Sequence, residues 1–169
     1  MLRATFCALA LSATCFVGTA SAELAAPTGD VVLTVVGKVT ETNGGDGVVF
    51  LDRALLEAMP SATIDTSTIW TQGKHRFEGV SLATLVDQLG IKASNLRAIA
   101  INDYAVDIPI TDAVEGGAII AYRIDGKEMS IREKGPLWVI YPYDDNADYR
   151  KEVIYSRSIW QLDRIEALD

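Results

Sequence analysis

Beyond residue 22 this sequence contains no cysteine. That removes disulfide staples, thiolate nucleophiles and thiolate metal ligands from the chemistry the domain can use. The two cysteines among the 169 residues, Cys7 and Cys15, fall within an N-terminal stretch with the pattern of a secretion signal. Arg3 opens it, a mostly apolar run extends from Ala8 to Val17, and Ala20-Ser21-Ala22 forms a small-residue cleavage site before Glu23. Ser12, Thr14 and Gly18 interrupt the run, which is shorter than the roughly 20 apolar residues of a spanning helix. Residues 1–22 are therefore expected to be removed on export to the periplasm, leaving 23–169 as a single domain.

Histidine is nearly as scarce. The single His75 lies between Lys74 and Arg76, and no Gly-x-Ser-x-Gly elbow occurs, so a catalytic triad is not expected. Positive charge is also in deficit, with 15 Lys and Arg against 23 Asp and Glu and a net charge of −8, which loss of Arg3 would take to −9. No run of Lys or Arg offsets it locally, which argues against nucleic acid or anionic lipid as a partner. The acids at Asp144, Asp145 and Asp148 lack the spacing of a calcium loop and read as solvated loop residues. No catalytic group and no metal site is expected. The hydrophobic share of 49% excludes disorder.

What is present reads as an α+β domain. Val31–Val39 is a continuous β-branched run, as of a strand buried on both faces. The glycine-rich turn at 43–47 is expected to lead into a short helix capped by Asp52, with Leu55, Leu56 and Met59 on one face and Pro60 as its stop. Ser61–Trp70 alternates as a strand ending in a polar turn. Ser81 caps a second helix carrying Leu82, Leu85, Val86 and Leu89, which Gly90 ends. Leu96–Ile101 and Ala105–Ile110 form a hairpin about Asn102-Asp103-Tyr104. Strands at Ala118–Arg123, with an Asp125-Gly126 turn, and at Pro136–Tyr141 follow. After a charged loop or short helix at 144–151, Leu162–Leu168 closes the chain as a strand. Strands outnumber helices, which fits α+β better than a doubly wound sheet.

Aromatic and cationic residues gather at the predicted strand ends: Trp70, Arg76, Tyr104, Lys134, Trp138, Tyr141, Tyr143, Arg157 and Trp160. Indole and phenol faces stack on a flat heteroaromatic ring, and Arg or Lys heads meet its oxygens. Trp138 and Trp160, each taken alone, read more readily as core. Trp70 precedes the polar Thr71-Gln72-Gly73-Lys74 turn and reads at least as readily as exposed or in a pocket as buried.

Four segments in succession carry a resemblance: Phe77-Glu78-Gly79-Val80-Ser81-Leu82-Ala83-Thr84-Leu85-Val86, Asn102-Asp103-Tyr104-Ala105-Val106-Asp107-Ile108-Pro109, Ala121-Tyr122-Arg123-Ile124-Asp125-Gly126-Lys127 and Lys134-Gly135-Pro136-Leu137-Trp138-Val139-Ile140-Tyr141-Pro142. In this order the chain resembles the pterin-binding domain of sulfite-oxidase-type molybdenum enzymes. The resemblance implies a mixed-sheet α+β fold built to hold molybdopterin, with a metal-binding cysteine before the Gly-Val segment. Here that stretch is Thr66-Ser67-Thr68-Ile69-Trp70-Thr71, which offers hydroxyls only, and a hydroxyl ionises far less readily than a thiol. The chain is most similar to small exported regulatory members of the fold that lack the cysteine. That likeness implies a non-catalytic sensor or adaptor for a membrane signalling enzyme that makes or degrades cyclic di-GMP. A reduced pterin is the implied ligand, ahead of molybdopterin. Trp70, Thr71, Tyr104, Trp138, Tyr141 and Tyr143 would surround its ring, and Arg76, Lys134 and Arg157 would face its oxygens. Asp107 or Asp144 would face its N–H edge. A small molybdenum oxidoreductase and an interaction module with a vestigial pocket are the alternatives.

Overall fold

The computed structural model describes residues 24–169; the expected signal, 1–22, lies outside the described residues. Among the described residues ten strands and three short α-helices follow one another: β1 (Val31–Gly37), β2 (Val48–Asp52), α1 (Arg53–Ala58), β3 (Ser61–Ser67), β4 (Lys74–Ser81), α2 (Leu82–Gln88), β5 (Asn95–Ala100), β6 (Ala105–Pro109), β7 (Ile119–Ile124), β8 (Lys127–Glu128), β9 (Trp138–Ile140), α3 (Glu152–Arg157) and β10 (Leu162–Leu168). No described helix is long and apolar enough to cross a membrane.

The strands form two sheets. One has the order β2-β1-β10-β5-β6, in which only the β1–β10 pair is parallel. The other runs β3-β4-β7-β8, with β9 also paired to β7. A continuous core joins them, with Leu33, Val35, Phe77, Val80, Leu96, Ile120, Trp138 and Leu162 all buried. The sheets are also tied through the backbone. A bridge pairs Trp138 with Trp160, while Val139 N donates to Ile159 O and Leu162 N to Leu137 O, so β9 holds the chain entering β10.

Local chemistry explains the helix ends. The Asp52 carboxylate caps α1 by accepting from Leu55 N at 2.8 Å, and it also accepts from Thr28 N and Gly29 N at 2.7 and 2.8 Å. These N–H groups hold its carboxyl below the ordinary value, led by Leu55. Ser81 Oγ accepts from Thr84 N at the start of α2, and Gly90, at φ +57°, provides the left-handed exit that an L side chain resists. At Gly79 a Cβ would lie 2.1 Å from Ile120 O, so only glycine lets β4 approach β7 there.

Three expectations are corrected. β1 is not buried on both faces: Leu33 and Val35 point into the core, while Val32, Thr34 and Val36 remain partly exposed because no further layer covers their side. The glycine turn at 43–47 leads into β2 before the helix, forming a β1–β2 hairpin. The polar turn expected at 71–74 stops short of Lys74, which opens a strand, β4, and α3 follows the charged loop, whose residues 147–150 make a 3₁₀ turn.

Candidate functional site

A cleft of about 510 Å³ opens where the two sheets meet. The first sheet contributes Ala100 at the end of β5 and Asn102 and Tyr104 from the β5–β6 turn; α3 contributes Glu152, Tyr155 and Ser156. Ser158, Ile159 and Trp160, just before β10, complete the lining on that side, and Trp70 reaches in from the β3–β4 loop of the second sheet.

Trp70 is the hub. Its ring meets Trp138, Tyr143, Tyr155 and Trp160 edge to face, with centroids 5.8, 6.4, 5.7 and 5.8 Å away. Edge-on packing of this kind contributes roughly 0.5–1.5 kcal/mol per pair beyond burial. It holds the indole without covering it, and Trp70 stays half-buried. Trp160 is 37% exposed, so it is a cleft wall and not the core residue it more readily reads as from sequence, whereas Trp138 is core at 1%. Lys134 lies over both indoles, its Nζ 4.1 Å from the Trp160 ring centre and 5.4 Å from that of Trp138.

The layer beneath is satisfied internally. Trp138 Nε1 donates to Ser158 O at 3.1 Å, and the Tyr143 hydroxyl to Ser158 Oγ at 2.6 Å. Asp112 Oδ2 accepts from the Tyr141 hydroxyl at 2.8 Å and from the Arg157 guanidinium at 3.0 Å. Burial pushes the Tyr143 hydroxyl up to about 12 and raises Tyr141 further, so both stay protonated donors.

The expected site residues therefore divide. Trp70 and Tyr104 line the cleft, with Trp138, Tyr141 and Tyr143 buried behind or below it. Arg157 is committed to Asp112. Lys134 and Thr71 line a second cleft together with Trp138. Arg76 stands apart: it is exposed on β4 and grips Asp65 of β3 with two bonds of 2.9 and 2.8 Å, because strand alternation turns it away from Phe77 and the core. Asp107 is exposed on β6, outside the lining, and Asp144 is occupied by Ser67, whose N and Oγ donate to it at 2.9 and 2.6 Å. Those two bonds hold the Asp144 carboxyl below its usual value. Tyr155, Glu152 and Asn102 line the cleft without having been singled out; the aromatic at 155 was the available signal, in a stretch between the charged loop at 144–151 and the last strand to which no element is assigned from sequence.

The stretch where the resemblance requires a metal-binding cysteine is closed chemically. Thr66 is fully buried; its Oγ1 donates to Ser67 O and accepts from Asp144 N. Thr68 Oγ1 accepts from Trp70 N and Thr71 N and pairs with Thr71 Oγ1 at 2.8 Å. Among the described residues no three His, Cys, Asp or Glu side chains converge on a metal position, those at 144–148 included. The donor set does not fit molybdenum, while the aromatic walls beside it fit a flat ring.

One mixed and one antiparallel sheet with few helices, joined around this cleft, define a sulfite-oxidase-like fold. Residues 56–147, more than half of the chain, match the oxidoreductase molybdopterin binding domain, and the chain belongs to that family. Among solved structures it is similar to the sulfane dehydrogenase SoxCD from Paracoccus pantotrophus, with a TM-score of 0.59 and 15% identity. The likeness covers 81% of this chain and 38% of that one, so the chain spans well under half of that enzyme, and at this identity it establishes a common fold. No curated protein matches the sequence. The matched family segment carries Trp70, Ala100, Asn102 and Tyr104, but ends before the α3 and Trp160 wall.

Proposed function

We propose that the protein binds a flat heteroaromatic ligand of the reduced-pterin class without molybdenum chemistry. The observation that carries this is the aromatic cleft: an apolar slot of about 510 Å³, within the range of small-molecule sites, beside a loop whose hydroxyls are already engaged. Trp160, Tyr104 and Tyr155 supply ring faces. The exposed Glu152 carboxylate suits the paired N–H groups of an amino-pyrimidinone edge, and the Asn102 amide suits its oxo group. This set replaces Arg76, Asp107 and Asp144 as the polar contacts.

An exported adaptor role for a membrane signalling enzyme of the cyclic di-GMP type remains part of this reading. Its support is the signal-like start of the sequence and the exposure of Tyr104 and Trp160 in the cleft lining, with Ile69, Ile101 and Val153, each next in sequence to a lining residue, also exposed. Contiguous exposed apolar groups mark interaction surfaces.

The test is native protein purified from the periplasm and examined by mass spectrometry and metal assay. A pterin without metal is the expected result. Stoichiometric molybdenum overturns it in favour of an oxidoreductase. Absence of any ligand, with partner binding unaffected in Trp70→Ala, would leave an interaction module with a vestigial pocket.

A further inference from the structure

We propose that His75 is a positioning residue for the aromatic cleft: as an imidazolium it ties down the loop 68–73, and with it Trp70, so that ligand binding is linked to a proton. This rests on the reading of the cleft as a ligand site.

The geometry of the ring requires two protons. Nδ1 lies 2.7 Å from Asp125 Oδ2, and Nε2 lies 3.0 Å from the carbonyl oxygen of Gln72. Both partners are acceptors, and a neutral imidazole has a single N–H. On deprotonation the carboxylate retains that N–H, and a lone pair is turned toward the Gln72 carbonyl. The loop then loses the side-chain tie at its far end. At its near end Ser67 remains held by Asp144, and the Thr68 hydroxyl organises only the turn itself. Trp70 sits between these two ends, so the freedom gained at Gln72 reaches the hub of the aromatic wall.

The charged surroundings of His75 are mixed. Lys74 and Arg76 flank it on β4, with the Arg76 guanidinium committed to Asp65. Asp125 faces it from the β7–β8 turn and is fixed by accepting from Arg76 N at 3.0 Å. Lys127 and Glu128 of β8, and Arg132, Glu133 and Lys134 beyond it, line with His75 a cleft of about 450 Å³. The cations oppose the imidazolium, but Asp125 is the carboxylate that touches it. The hydrogen bond to Asp125 accordingly raises the His75 value above 6.5.

The experiment follows ligand-free protein by NMR between pH 5.5 and 8.5. It records the His75 ring shifts and the Trp70 indole N–H, assigned with Trp70→Phe. The expected result is one titration shared by both, with its midpoint above 6.5, moved lower in Asp125→Asn and absent from the indole signal in His75→Gln. Affinity for dihydrobiopterin should fall about three- to tenfold across that titration, the scale of one lost hydrogen bond at a half-exposed site. An indole signal that ignores the His75 titration, or a wild-type profile retained in His75→Gln, overturns the proposal. If dihydrobiopterin never binds but the two signals titrate together, the ligand reading fails and the tie stands. Should the variants not fold, the wild-type titration alone decides.

Discussion

Two ionic clamps hold opposite walls of the cleft, and they differ in kind. Under α3, Arg157 and Asp112 are mostly buried, with side chains 21% and 14% exposed, and the Tyr141 hydroxyl completes the arrangement. Across the cleft, His75 and Asp125 are 25% and 55% exposed and hold a loop. A guanidinium is charged at every physiological pH, whereas an imidazolium is not. One wall is thus fixed permanently and the other conditionally. Charge type and burial, more than the number of bonds, decide which part of the cleft can move.

The strongest way to break this comparison is to remove the permanent clamp. Asp112→Ala leaves the Arg157 guanidinium and the Tyr141 hydroxyl without their acceptor, and should cost about 2–3 kcal/mol. Thermal unfolding should register this as a drop of roughly 4–12 °C, at about 2–4 °C per kcal/mol for a domain of this size. Trp160→Ala removes a wall without touching either clamp. Because that indole is partly exposed, its expected signature is at least about tenfold weaker ligand binding with a smaller stability loss than Asp112→Ala, read by calorimetry and melting together.

The conditional clamp is tested by pH. Asp125 is held below 3.8, first by its hydrogen bond with His75, so its contribution is present above 3.8 and disappears as pH falls through its lowered folded value. His75 has the opposite sign: its contribution is complete below 6.5 and disappears as pH rises through its raised folded value. Amide protection in loop 68–73, after correction for the intrinsic pH dependence of exchange, should therefore be greatest between those limits and fall on both sides, while protection of the α3 amides should not follow the upper limb. The smallest effect is expected from Arg76→Ala. Its pair with Asp65 is exposed and far from the cleft, so melting temperature and ligand affinity should remain unchanged.

The parts of the fold legible in the sequence were those written in local rules: the Asp52 and Ser81 caps, the Gly90 exit, and the β5–β6 and β7–β8 turns. β4 escaped because a register shift at Glu78/Gly79 breaks its alternation, and Lys74-His75-Arg76 gives it a polar start. β1 misled because β-branched residues suit a half-exposed strand as well as a buried one. In the site, aromatic residues near strand ends pointed to Trp70 and Tyr104. The charged candidates were harder to read because sequence does not show which charges are already paired: Arg157 and Asp144 have partners 45 and 77 residues away, and Arg76 meets Asp65 across the β3–β4 hairpin.

The bridge between Trp138 and Trp160 has a mechanical consequence. It is a rivet between two plates, and the cleft beside it is the seam they leave. A molecule lodged there bears on Trp70 from one plate and on Tyr104 and Trp160 from the other, bracing the joint against shear. Occupancy should therefore be felt by the whole domain as resistance to melting, growing with the logarithm of ligand concentration above its dissociation constant. That makes the seam searchable by heat alone, before the chemistry of its occupant is known.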